Sequence, residues 1–267
     1  MTDVPSTSAA APASKRRKKC PVLPDLDPAL FGTPQQSADD DEGAAADLAR
    51  GCPHRRVAHV AGQFPSHVYV PLAPRAAADA VTEAGTALVT ALATADLGTA
   101  LAGRTFAPTP RTSLHVSLSR DFVLFRDALE PFCTALRDAL ASARRFAFDI
   151  DIAHVHVLTN DDGTRVFVAF GVNTGAAQLQ ALVRGTVDPL LTRFGAAAPY
   201  PAPALMHVSV ASVVPRTPVD SAALDALQTR VDAVWSSDSA SVSGVVHAEA
   251  RTVHCKRGDR CFVVQLN

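Results

Sequence analysis

The sequence predicts an α+β fold built from a duplicated unit, and three observations carry that expectation. Strand and helix patterns follow in the order strand, helix, strand, helix, hairpin, and then helix, strand, helix, hairpin. The tripeptides His115-Val116-Ser117 and His207-Val208-Ser209 stand at corresponding points of the two halves. Hairpins close each half, where a nucleotide-binding Rossmann domain would show a βαβ succession and a glycine-rich loop after a strand.

Residues 1 to about 52 read as a disordered tail. They hold Ala/Pro/Ser runs, a basic block Lys15-Arg16-Arg17-Lys18-Lys19 and an acidic block Asp39-Asp40-Asp41-Glu42. Such a segment buries too little apolar surface to offset the entropy of ordering it. The basic block reads equally as a nuclear localisation signal, an RNA anchor or a solvated charge run.

Residues 53–267 carry the periodic patterns and form the expected catalytic domain. His67-Val-Tyr-Val-Pro71 reads as a strand, and Pro74 to about Gly103 as a helix opened by proline. Ser113–Ser119 is a strand with His115, Ser117 and Ser119 on one face. A helix is expected over Phe122–Arg144, then a hairpin of Phe146–Leu158 and Arg165–Val172 turning at Asn160-Asp161-Asp162-Gly163. Gly175–Phe194 is helical. Leu205–Ser212 is the second histidine strand, with His207, Ser209 and Ala211 on one face. A helix over Val219–Trp235 and a hairpin of Val245–Cys255 and Arg260–Leu266 complete the chain.

Composition narrows the function. The chain of 267 residues has a formal net charge of -1. The tail holds 6 basic and 8 acidic residues, leaving 25 − 6 = 19 basic and 26 − 8 = 18 acidic in the body. A general nucleic-acid coat would carry a clear basic excess, whereas an enzyme that holds a few phosphates in a local cleft need not. Five scattered cysteines, Cys20, Cys52, Cys133, Cys255 and Cys261, argue against a disulfide framework and for a reducing compartment. No secretory signal and no run of ~18 apolar residues is visible, so a soluble protein is expected.

The chemistry lies in the repeated His-x-Ser. Of nine histidines, only His115 and His207 sit in the pattern His–apolar–Ser–apolar. Strand alternation places each histidine and its serine on one face. If the halves pack about an approximate twofold axis, two imidazoles and two hydroxyls converge on one groove. Imidazole titrates near ~6.5, so one ring can accept a proton while the other donates one. The hydroxyls of Ser117 and Ser209 can donate to non-bridging phosphate oxygens. The substrate's own 2′-hydroxyl, tethered beside phosphorus, would be the nucleophile. That set suits metal-independent cleavage of RNA, and no cofactor is implied. Zinc through His54, His59 or His67 with Cys255 or Cys261 matches no compact finger spacing.

These paired motifs resemble those of the two-histidine (2H) phosphoesterase superfamily. The body further resembles one branch, the U6 small nuclear RNA 3′-end processing phosphodiesterases. Four local matches carry this: His59-Val60 with His67-Val-Tyr-Val-Pro71; Leu114-His-Val-Ser-Leu-Ser119; Tyr200 to Ala211; and Val253-His-Cys-Lys-Arg-Gly-Asp-Arg-Cys-Phe262. The resemblance implies a 2H phosphoesterase-like fold, with two antiparallel sheets facing a central groove and helices packed outside. It implies a nuclear 3′-to-5′ exonuclease that trims the oligouridine tail of the spliceosomal RNA without metal, leaving a blocked end. By the same resemblance His207 is the general base on the penultimate 2′-hydroxyl and His115 the general acid toward the leaving 5′-oxygen. Ser117 and Ser209 hold the phosphate, and Tyr200 stacks on the terminal base.

The chain departs from the family pattern in three places. Tyr200 stands seven residues before His207, one more than is usual. Ser212 replaces an aromatic, and Asp259-Arg260 stands where Asn-Lys is commoner. Two rival functions stay open: a cyclic phosphodiesterase or RNA-ligase-like enzyme on transfer RNA ends or small cyclic nucleotides, and a non-catalytic RNA-binding spliceosome-associated module. The partner expected is a single-stranded RNA 3′ end, and a monomer suffices because the two halves complete the groove.

Overall fold

The computed structural model describes residues 60–197, 199–200, 204–238 and 244–267. The expected tail, with its basic and acidic blocks, lies outside these residues. Among the described residues ten strands occur: β1 (Gln63–Pro71), β2 (Ala107–Pro108), β3 (His115–Ser117), β4 (Phe122–Phe125), β5 (Phe146–Thr159), β6 (Val166–Val172), β7 (His207–Val213), β8 (Val245–Ala250), β9 (Thr252–Arg257) and β10 (Arg260–Gln265). The helices are α1 (Arg75–Ala93), α2 (Leu129–Ala139), α3 (Ala176–Leu182), α4 (Asp188–Arg193) and α5 (Ser221–Asp238).

The fold is α+β, and its two expected sheets are the halves of one antiparallel sheet in the order β10-β9-β1-β3-β7-β6-β5-β8. The join is the pairing of the two histidine strands, Val116 opposite Val208. The hairpins have changed places between the halves. The first hairpin, β5–β6, pairs with the second histidine strand through β6, and the last, β9–β10, joins β1 beside the first. Each lobe is thus completed by the other half of the sequence.

Hydrophobic alternation explains the layering. One face of the sheet buries Val68, Val70, Val116, Val208 and Val210, and helix α1 packs there through the stripe Ala77, Val81, Ala84, Leu88 and Leu92. Contact with β7 is close: a Cβ built on Gly85 would lie 2.9 Å from Cβ of Val210. Trp235 of α5 is also buried and donates its indole N–H to the Ile152 carbonyl at 3.1 Å. No helix among the described residues is long and apolar enough to cross a membrane.

Several boundaries differ from the sequence expectation, each for a local reason. Helix α1 stops at Ala93 rather than near Gly103, because Asp96 accepts the Gly98 N–H and Gly98 takes φ +86°. Phe122–Phe125 is the strand β4, not a helix start: Phe122 and Leu124 are buried, and all four residues pair with β1. The helix over Gly175–Phe194 is interrupted by a π-turn at Val183–Val187, just before Pro189. Proline there has no N–H for the carbonyl one turn back. Val245–Cys255 is two strands parted by Arg251; β8 pairs with β5 and β9 with β1. One residue cannot span a flat eight-strand path, so the sheet curls until the two lobes meet at that crossing.

Candidate active site

Strands β3 and β7 place the four predicted side chains together. The antiparallel pair Val116–Val208 sets His115 beside Ser209 and Ser117 beside His207, so each histidine neighbours the serine of the other motif. All four are half-buried and lie opposite the buried valines. A bulge lies just past Ser209: Val168 faces Ala211 and Ala169 faces Ser209, leaving Val210 without a partner on β6. This extra residue reverses the facing of the rest of β7. Ala211 is therefore buried and Ser212 takes the groove side, contrary to the simple alternation. Ser119 also leaves the predicted face. It is buried, and its hydroxyl accepts the Val68 N–H at 2.8 Å. Ser117 and Ser209, by contrast, have no side-chain hydrogen bond to any described residue.

Each histidine is oriented in the same way. Nδ1 of His115 lies 2.6 Å from the Ser113 carbonyl, and Nδ1 of His207 lies 2.8 Å from the Leu205 carbonyl. A carbonyl only accepts, so Nδ1 carries a proton in both rings. Nε2 is left to accept a proton when the ring is neutral or to donate one when it is charged.

The surroundings of the two rings differ. Burial lowers the pKa of both, and the carbonyl at Nδ1 opposes it. Around His115, the Asp121 carboxylate raises the pKa and Lys256 lowers it. At His207 the charges of His115 and His156 lower it further. Beside the His115 ring stand His67 and Tyr69, with centroids 5.4 Å and 4.9 Å away. His67 stacks on Tyr69, and burial together with the His115 charge lowers its pKa to about 4. Tyr69 also lies 3.7 Å from Sγ of Cys261 through its hydroxyl. Under the second lobe, Gly171 pairs with His207 and Ala169 with Ser209, so small residues form the floor there.

Tyr200 is half-buried between α4 and β7, packs on the core, and donates its backbone N–H to Asp188 at 3.1 Å. Burial raises the pKa of its hydroxyl, against which Arg120 acts. Arg120 in turn pairs with Asp161 of the β5–β6 turn at 3.0 Å. Among the described residues, no three His, Cys, Asp or Glu side chains are grouped to hold a metal ion. Sequence reading missed His67, Tyr69, Asp121 and His156 as neighbours of the motif. For the three strand residues among them, the period-two rule applied to β1 and β5 carries the signal. Asp121 lies past the end of β3 and has no period to betray it.

The family model HVSL, described as an uncharacterised conserved protein, matches residues 24–265. U6 snRNA phosphodiesterase 1 of Bos taurus is 30% identical over 248 residues, covering 91% of this chain and 83% of the relative. The Homo sapiens protein of the same name is 30% identical over 254 residues, covering 94% and 85%. Among solved structures, Kluyveromyces marxianus Usb1 superposes with a TM-score of 0.53 at 16% identity, over 77% of this chain and 98% of that one. Its structure with uridine monophosphate gives 0.50 at 17% identity, over 76% and 97%. These two likenesses speak to the fold.

Proposed function

The chain belongs to the HVSL family and to that of the U6 snRNA phosphodiesterases, and from that premise we propose that it trims the oligouridine 3′ end of U6 small nuclear RNA. It acts as a metal-independent 3′-to-5′ exonuclease on single-stranded RNA in the nucleus, as a monomer, with residues 53–267 as the catalytic domain. The observation that carries the chemistry is the crossed pairing of the two motifs, with both Nε2 atoms and both serine hydroxyls left without a hydrogen bond among the described residues.

Nε2 of neutral His207 takes the proton of the penultimate 2′-hydroxyl as that oxygen attacks phosphorus. The bond from phosphorus to the 5′-oxygen of the last nucleoside breaks, and Nε2 of protonated His115 supplies the proton that this oxygen needs. The products are a shortened RNA with a 2′,3′-cyclic phosphate and a free nucleoside. Ser117 and Ser209 donate to the non-bridging oxygens as negative charge gathers on them. Tyr200 stacks on the terminal base. Afterwards the two imidazoles have exchanged protonation states, so water entering with His115 as base would open the ring to a 3′-phosphate. The Asp121 carboxylate, which raises the pKa of His115 against the effect of burial, supports His115 as the acid.

The test is trimming of an oligouridine in EDTA, with and without a 2′-deoxy residue at the penultimate position. Shortening in EDTA and a block at the deoxy residue are expected. Loss of activity in EDTA, or cleavage past the deoxy residue, would defeat the 2′-hydroxyl mechanism. Opening of small cyclic nucleotides without trimming would favour the cyclic phosphodiesterase reading.

A further inference from the structure

His156 is the groove imidazole that this chemistry leaves without a task. It stands on β5 opposite Ala169 of β6, and Ala169 in turn faces Ser209. Its ring leans across β6 toward the second motif. A Cβ built on Gly171 would lie 2.8 Å from Nε2 of His156, and Gly171 pairs directly with His207. Neighbouring strands are about 4.8 Å apart, so this nitrogen hangs over the backbone next to the proposed base. Glycine at 171 opens that space. The charged and titratable groups acting on His156 are Asp151 and His154 of its own strand and Asp232 of α5, and His207 feels the charge of His156 from β7. The half-buried ring has no hydrogen-bond partner among the described residues.

We propose that His156 binds the phosphate one nucleotide upstream of the scissile one, on the 5′-oxygen of the penultimate nucleotide. The assignment rests on the proposed trimming chemistry, in which His207 faces the 2′-hydroxyl of that nucleotide and so seats it on the second lobe. Its 5′-phosphate then lies farther out on the same lobe, over β6 toward β5. Burial disfavours charge on the vacant ring, and an arriving phosphate reverses that balance by pairing with the imidazolium. The second lobe thereby grips the RNA that stays.

The dinucleotides UpU and pUpU differ only by this phosphate and so isolate it. The unaltered protein is expected to cleave pUpU with a kcat/KM about tenfold to a hundredfold above that for UpU, the range of one hydrogen bond to a charged group. His156→Ala should bring the ratio close to one, and His156→Lys, which restores a cation on an intact fold, should keep it. A ratio near one in the unaltered protein overturns the assignment. So does a His156→Ala variant that keeps the preference or loses activity equally on both substrates. If the unaltered protein cleaves neither dinucleotide, the catalytic reading itself falls and takes this one with it; equal cleavage of both removes the role of His156 alone.

Discussion

The two lobes of the groove carry the same motif in different settings. In the first, His115 is walled by the His67 and Tyr69 rings and feels the Asp121 carboxylate. In the second, His207 lies over the small floor of Ala169 and Gly171, with another imidazole overhead. Both rings are aimed by the same bond, from Nδ1 to the carbonyl two residues earlier. The two rings thus share one aim with unlike charge around them. In the proposed mechanism the duplication supplies the geometry and the neighbours the division of labour.

The largest expected effect tests that division directly. His115→Ala and His207→Ala should each lower trimming by about 10²–10⁴-fold, the usual worth of one positioned proton transfer. The variants should separate on an RNA whose leaving 5′-oxygen is replaced by sulfur, since a thiolate departs without a proton. That substrate should restore most of the loss in His115→Ala and little in His207→Ala. Rescue of the opposite variant would exchange the roles, and equal rescue would break the contrast between the lobes.

A smaller effect is expected on removing the feature that separates them. Asp121 raises the pKa of His115. Asp121→Asn should therefore let His115 lose its proton at lower pH. The basic limb of the pH–rate profile should move to lower pH, with activity above neutrality falling severalfold and the acid limb, set by His207, staying in place. Movement of the acid limb instead would place Asp121 beside the wrong ring.

The histidines, the serines and the duplicated α+β class could be read from strand periodicity because their chemistry repeats every second residue. Four features could not. The exchange of hairpins between lobes depends on long-range pairing, which no local pattern records. The bulge at Val210 depends on how β6 and β7 fit, so alternation alone put Ala211 rather than Ser212 on the groove face. Phe122–Phe125 looked like the start of a helix because apolar residues there run on into α2; only pairing with β1 makes it a strand. Ser119 shares the period of His115 and Ser117, yet the chain bends after Ser117 and turns its hydroxyl to Val68.

The smallest expected effect concerns stability and falls on the first lobe alone. His67 is held neutral in the folded protein down to about pH 4, chiefly by burial, whereas an unfolded chain protonates it near its ordinary value of 6.5. Between those values the unfolded state binds more protons, so stability is fully present above the ordinary value and is lost as pH falls toward 4. The loss from this one ring is about 3 kcal/mol at most. His67→Phe keeps the stack on Tyr69 and removes the titration. Its melting temperature should fall less steeply than that of the unaltered protein between pH 6.5 and pH 4. Parallel curves for the two proteins would mean that His67 takes up its proton without unfolding, and that the wall of the first lobe is wetter than its packing shows.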